Sequence, residues 1–600
     1  MAAERTFGWV QNPGDLTKLK KVVGIFQSNS KYNMWLRNER LPLLLKYGLI
    51  SQDNHDIFEA ELSNPNICIK YGLLKGKGAG SGGRSSAICT GIVQAVIDGQ
   101  QYKTYVDASG TSIRIKKPYT DDWSAEGFIR WAISCGLIEY NKDNDSCNIS
   151  TLGEFLAGTA DDSAEENEAF TQALLSYPPV IRILDLLDHK DRQTKFELGS
   201  KLGFKGELGF TSIPQELYLC DYCEAPTSAE KNKIRSNFEG DSDKYARGIA
   251  SWCAKMGWIE SENGEVTGTY RGKNYSASLQ QYTITRAGER ALKKARGNSS
   301  NPRLPRTLMF EMLASNKAPG ADYLRYQRAA IIKSLSSSPK TIPQLQTALK
   351  GQQLELDAAG ISDHIDGLKS IGVEIRYENG KYKLYDKIER LVLPPRSSCI
   401  KDSINDIKDR IRPKLTALNH KYLVLVDLAY SDAASTAKKN ADALEFEIQT
   451  SELFTKELSF NGSHLGGSNK PDVITYYGDK GTIIDNKSYK DGFNIGAHQR
   501  DEMSRYVNEN IIRSSTINPN EWWLAFDSKV KDFTFMFVTS YLRGNFESQL
   551  EYISRVNGGI QGGAISVENL LYCSESLKRG DITYDDFYDS FTNREMIFAV

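Results

Sequence analysis

The chain has 600 residues, 40% of them apolar and 25% charged, which is the composition of a soluble globular protein and too long for a single core, so roughly three to five domains are expected. A formal net charge of −1 excludes nucleic-acid binding through a global basic field and leaves that task to local patches. Nine scattered cysteines fit reduced thiols better than a disulfide framework, and the opening "MAAERTFGWV" has no apolar signal-peptide region, so a cytoplasmic protein without membrane contact is expected.

In chain order, "LTKLKKVVGIF" (residues 16–26) has the period of an amphipathic helix. "LLKGKGAGSGGRSS" (73–86) reads as a basic, glycine-rich loop suited to DNA phosphates. It also holds a dinucleotide-binding string at Gly78, Gly80 and Gly83, but no parallel βαβ series follows it. Next comes an internal repeat. "FIRWAISCGLIEY" (128–140) lies on "IASWCAKMGWIES" (249–261), with Trp131 matching Trp252 and Gly136 matching Gly257. A fainter third copy, "IDGLKSIGVEIRYENGKYKL" (365–384), puts Gly372 in the same place. Each copy reads as helix, glycine stop and strand, with Asn263-Gly264 and Asn379-Gly380 as hairpin-turn signals. Apolar helices precede the second and third copies at "PVIRILDLLDH" and "RAAIIKSLSSS". Helices followed by a two-stranded wing predict three winged-helix, helix-turn-helix-like units; α+β modules without DNA contact remain the alternative. "ARGNSSNPRLPR" (295–306) and "LPPRSSCIKD" (393–402) read as linkers. Strands ("GTIIDNKSY", "FTFMFVTSYL") and helices ("RDEMSRYVNEN", "SVENLLYC") then alternate in a last domain of about 200 residues. Cys220 and Cys223 lack a second ligand pair and read as ordinary thiols, not zinc ligands.

Within that domain "KPDVITYYGDKGTIIDNKSYKDG" (470–492) reads as a hairpin carrying Asp472, Asp485 and Lys487. A turn at Asp479-Lys480 sets Asp472 opposite Lys487, with Asp485 as its diagonal neighbour and all three on one face. Two carboxylates so close repel unless a cation lies between them. An oxygen-only donor set suits Mg2+, which keeps several waters. Lys487 then orients or deprotonates a water, or stabilises charge developing on a phosphodiester. A surface hairpin with a solvated Asp–Lys pair is the other reading of the same string.

The segments "HLGGSNKPD", "DNKSYKDGFNI", "DEMSRYVNEN" and "INPNEWW" resemble the cleavage domain of the FokI-like type IIS restriction endonucleases, in the PD-(D/E)xK nuclease superfamily. "RTFGWVQNPG", "WSAEGFIRWA", "SYPPVIRIL" and "SDKYAR" resemble the family's DNA-recognition region, so the likeness covers nearly the whole chain, with an expected insertion around "YKTYVDASGTSIRIKKP". The resemblance implies a multi-domain α+β fold. Winged-helix recognition modules span 1–157 and 158–298, a third module that docks the nuclease spans 299–390, and a linker spans 391–402. An α/β PD-(D/E)xK domain with a mixed central sheet spans 403–600. It implies Asp472 and Asp485 as ligands of Mg2+, Lys487 as the catalytic lysine, Glu447 as a supporting acid, and Asp501 and Arg505 as a dimer contact. DNA-reading positions carried over are Asn12, Arg84 and Trp123 in the first module and Ser236, Glu239 and Lys244 in the second. Ser236 stands where the family has Asn, and a hydroxyl cannot make an amide's bidentate contact to adenine. The implied partners are duplex DNA with a short asymmetric GGATG-like site, a second copy of the chain on that DNA, and a cognate DNA methyltransferase. The competing function is a winged-helix regulator with a degenerate, inert nuclease domain; intact Asp472, Asp485 and Lys487 favour the enzyme.

Overall fold

The computed structural model describes residues 7–11, 13–78, 88–188, 192–205, 207, 209–270, 272–297, 302–316, 320–354, 356–395, 403–433 and 435–598. Asn12, Arg84, most of the glycine-rich stretch and most of the expected linker lie outside these residues. Among the described residues, no helix is long and apolar enough to cross a membrane.

A helix followed by an antiparallel hairpin occurs three times where the repeat predicts it. Asp122–Ser134 is followed by Ile138–Asn141 paired with Ser146–Ile149. Asp241–Lys255 is followed by Ile259–Tyr270 paired with Lys273–Ile284. Ala358–Ser370 is followed by Ile375–Glu378 paired with Lys381–Leu384. The first and third helices start on an Asp whose carboxylate accepts from a first-turn amide, Asp121 from Ser124 and Asp357 from Gly360. Each helix stops at the shared glycine, with φ +72° at Gly136, +70° at Gly257 and +98° at Gly372, because the left-handed step after a helix favours a residue without Cβ.

The third hairpin turns at Asn379-Gly380, both with positive φ, as a two-residue turn of type I′ requires. The second does not turn at Asn263-Gly264. Those residues lie inside a twelve-residue strand, and the ladder runs on to Tyr270 opposite Lys273. Cross-strand pairing over that length overrides a local turn signal. The matched tryptophans of the repeat meet each other: Trp131 and Trp252 are fully buried and stacked, with ring centroids 4.6 Å apart. One apolar core runs from Phe7 through all three units to Ile375.

The C-terminal domain is built on a six-stranded sheet. Its strands lie in chain order: β1 (Asn461–His464), β2 (Val473–Tyr477), β3 (Lys480–Lys487), β4 (Asp532–Thr539), β5 (Gly562–Ser566) and β6 (Arg594–Glu595). The pairs β1–β2 and β2–β3 are antiparallel and the rest parallel, giving the mixed sheet that was expected. Both faces are covered. Val473, Ile484, Met536 and Val538 pack with helices α1 (Thr436–Glu452) and α3 (Val567–Arg579). Ile474, Ile483, Phe535 and Phe537 pack with α2 (Ala497–Ile512). Burial on both faces leaves residues 481–486 of β3 continuously buried, and Asp485 is the one carboxylate among them.

Few polar contacts tie this domain to the rest of the chain. Arg543 pairs with Asp357 at 3.2 Å, Lys205 with Glu547 at 3.4 Å, and Arg594 donates to the carbonyl of Ser212 at 3.0 Å. A cavity of about 970 Å³ runs along this seam, with Asp363, His364, Arg543 and Glu595 in its lining.

Candidate active site

The β2–β3 turn is Gly478-Asp479, one residue earlier than expected, and Tyr477 pairs with Lys480. Gly478 has φ +62° at the first central position, where a type II′ turn places glycine. Val473 then faces Ile484, and continuing the register by one residue sets Asp472 directly opposite Asp485. The expected pairing of Asp472 with Lys487 is therefore corrected by two residues. An even shift keeps every side chain on its face, so the three polar groups still converge.

Asp485 is 3% exposed, and Lys487 Nζ lies 2.7 Å from its Oδ2. The two form a buried ion pair. Asp472 Oδ2 accepts from the backbone amide of Asn486 at 2.7 Å, and the Asn486 amide group in turn donates to Thr450 on α1. Burial, then the charges of Asp485 and Glu447, push Asp472 up to about 9, while Lys487 and the Asn486 amide pull the other way. Burial works against the Lys487 charge, yet Asp485, Asp472 and Glu502 hold its ammonium above the ordinary lysine range. With the carboxylates free of metal, Lys487 is thus held as a cation, suited to stabilising negative charge.

Two carboxylates facing each other in a largely buried pocket are a fit for a hard cation. Among the described residues, no group of three or more His, Cys, Asp or Glu is gathered to hold a metal. Two carboxylates are the donor set of an ion that fills its remaining positions with water or phosphate oxygen, as Mg2+ does. Glu447, on α1, hydrogen-bonds His464 of β1 at 2.9 Å and stands beside this pair as an electrostatic neighbour.

Two residues absent from the sequence reading complete the site. Glu502 Oε2 lies 3.7 Å from Lys487 Nζ, and Tyr506 donates to Glu502 at 3.3 Å. They stand four apart on α2 and so share its inner face, a spacing visible in the sequence although their target was not. Asp501 and Arg505 occupy an outer face of the same helix. Asp501 pairs with Arg500 at 2.8 Å, and Arg505 donates to Asn469 and approaches Glu509.

The DNA-reading candidates are spread over the two N-terminal units. Trp123 is 58% exposed at the second position of its helix, which rules out a core-packing role. Lys244 is half-buried in the first turns of the second unit's helix and stands 4.0 Å from Asp241. Ser236 is exposed on the preceding helix, Ser228–Asn237. Glu239 is engaged by Lys195 at 2.7 Å and Arg247 at 2.8 Å, so its carboxylate is already paired.

Four family models match the chain in order: the FokI recognition domain subdomain 1 over residues 5–159, subdomain 2 over 166–300, the FokI D3 domain over 313–380 and the FokI cleavage domain over 401–597. The type II restriction enzyme FokI of Planomicrobium okeanokoites is 36% identical over 604 residues, covering 99% of both chains. The chain belongs to the FokI family of type II restriction enzymes. StsI of Streptococcus sanguinis, also a type II restriction enzyme, is 30% identical over 94% of this chain and 91% of its own. The solved structures of FokI alone and of FokI bound to DNA match with TM-scores of 0.60 and 0.61, each over 99% of this chain and all of FokI. Membership of the FokI family makes the chain a type IIS site-specific deoxyribonuclease.

Proposed function

We propose that this FokI-family enzyme binds a short asymmetric duplex site, GGATG-like by family resemblance, and hydrolyses phosphodiester bonds at a distance outside it with Mg2+. In this reading three winged-helix modules, at 1–157, 158–298 and 299–390, precede a linker at 391–402 and a PD-(D/E)xK nuclease at 403–600. The first two modules read DNA through Asn12, Arg84, Trp123, Ser236, Glu239 and Lys244. The third docks the nuclease: its helix carries Asp363 and Asp366, which repel phosphates, and its cap Asp357 pairs with Arg543 of the nuclease.

The observation that carries the catalytic assignment is the convergence of Asp472 and Asp485, which the β2–β3 register brings opposite each other, with Lys487 Nζ 2.7 Å from Asp485. Asp472 and Asp485 hold the ion, which when bound supplies Lewis acidity and an activated water. Lys487, kept charged, faces the scissile phosphate and offsets the charge that builds on it. Glu447 acts as a supporting acid that keeps the pocket negative. Such a site serves one strand. Duplex cleavage therefore takes a second copy, contacted through Asp501 and Arg505 across a two-fold axis while both copies are on DNA. A DNA methyltransferase that protects the host's own sites is the implied genetic partner.

Asp485→Ala and Lys487→Ala test the assignment. Each is expected to keep site-specific binding in a mobility-shift assay and to lose about a thousandfold or more in cleavage rate. Cleavage at near-normal rate by either variant would overturn it. The regulator reading predicts instead that the wild type binds its site and never cuts.

A further inference from the structure

Residues 101–118 form a structure of their own on the first module. Tyr102–Val106 pairs antiparallel with Ser112–Lys116 as a two-stranded ribbon that joins no other sheet. Its inner face carries Tyr105, Ile113 and Ile115, half-buried, with Tyr105 against the ring of Tyr47. Its outer face carries Tyr102, Thr104, Val106, Ser112, Arg114 and Lys116, all exposed. The base is anchored: Arg40 donates to the carbonyl of Pro118 at 3.0 Å and pairs with Asp98 at 2.6 Å.

The charge on this ribbon is one-sided. It holds Lys103, Arg114, Lys116 and Lys117 against a single acid, Asp107, in a chain that is otherwise balanced. Asp107 sits at the tip, where the amide of Thr111, the hydroxyl of Ser109 and Lys46 engage it, away from the basic residues at the base. None of the ion pairs formed by the described residues involves Lys103, Arg114 or Lys116. The outer face thus sets cations beside hydroxyls, Arg114 across from Thr104 and Lys116 across from Tyr102. Arg and Lys mixed with Ser, Thr and Tyr is the set of side chains that contacts DNA phosphates and sugars.

The ribbon is also in the right place. Its second strand ends at Lys116, and Asp122 opens the helix that carries exposed Trp123. Lys116 stands at the base of the ribbon, and Arg114 two residues, about 7 Å, farther out along the strand, the length of about two base steps.

We propose that this ribbon is a second DNA-binding surface that grips the phosphate backbone of the duplex flanking the recognition site, adding affinity without reading bases. It rests on the first module's reading DNA through its helix. Arg114 and Lys116 make the phosphate contacts, Tyr102, Thr104 and Ser112 supply hydroxyl contacts, and Lys103 adds to the local field.

The test compares the full-length wild type with Arg114→Gln/Lys116→Gln and with Arg114→Lys, without divalent metal, by fluorescence anisotropy from 50 to 200 mM salt. Two duplexes carry the recognition site, one with flanks of about twenty base pairs and one that ends flush with the site. On the long duplex the double variant is expected to show a salt slope smaller by about 1.8, so the wild type loses about tenfold more affinity than the variant over that range. On the short duplex the two proteins should coincide, and Arg114→Lys should keep the wild-type slope on both. Equal slopes on the long duplex would overturn the proposal. So would an equal deficit on both duplexes, which would place the ribbon over the site itself. If the wild type showed no site-specific binding at all, the DNA-reading assignment beneath this proposal would fail, whatever the ribbon does.

Discussion

Replacing Asp472 by Asn should stabilise the metal-free nuclease domain. Asp472 is pushed from 3.8 to about 9 by burial and by the opposing carboxylates. Below about pH 4 it is neutral whether the chain is folded or not, and stability from this source is complete. As pH rises from about 4 to about 9 the unfolded chain sheds a proton that the folded domain retains, so stability falls with pH. Each tenfold difference in proton affinity is worth about 1.4 kcal/mol, and relaxation of the charges around Asp472 leaves a cost of roughly 2–4 kcal/mol at pH 8. For a domain of this size that is a melting shift of about 5–15 °C. Calorimetry or near-ultraviolet melting at pH 5 and pH 8, in chelator, measures it. The wild-type transition should fall between the two pH values, and Asp472→Asn should melt higher at pH 8 and vary less. Millimolar Mg2+ at pH 8 should restore the wild type and leave Asp472→Asn unmoved. Parallel pH curves for the two proteins, or a lower melting point for Asp472→Asn, would refute the claim that the two carboxylates are in conflict without a cation.

Three further changes probe the rest of the account. Asp501→Arg or Arg505→Asp alone should slow double-strand cutting at least tenfold through like-charge contact across the two-fold axis, and mixing the two variants should restore it in a plasmid assay. Glu502→Gln removes a carboxylate 3.7 Å from Lys487 and should lower the cleavage rate about tenfold with DNA affinity unchanged, as read by single-turnover kinetics. Arg543→Ala breaks the exposed pair with Asp357 and should raise cutting away from the recognition site several-fold, seen by sequencing ends from genomic DNA, if the third module restrains the nuclease.

The three helix–hairpin units were legible because Gly136, Gly257 and Gly372 stop the helix in every copy, and Trp131 and Trp252 fill matching core positions in the first two. The hairpin at Asp472 was legible in parity and not in register. Only the left-handed conformation of Gly478 decides which two residues turn, and a glycine on each side of Asp479-Lys480 leaves two choices. At Asn263-Gly264 a good turn dipeptide lost to twelve paired residues. Glu502 and Tyr506 were not legible as site residues, because it is the packing of α2 over β3 that carries them to Lys487. Glu239 was found by position, while its capture by Lys195 and Arg247 depends on residues 44 and 8 positions away.

The central claim is that the N-terminal modules choose the site and a tethered nuclease cuts elsewhere. Digesting DNA with the wild-type enzyme and Mg2+, then sequencing every end produced, tests it most directly. Ends are expected at a fixed distance to one side of a single recurring asymmetric sequence. Ends inside a symmetric sequence, or scattered without a shared neighbour, would contradict it.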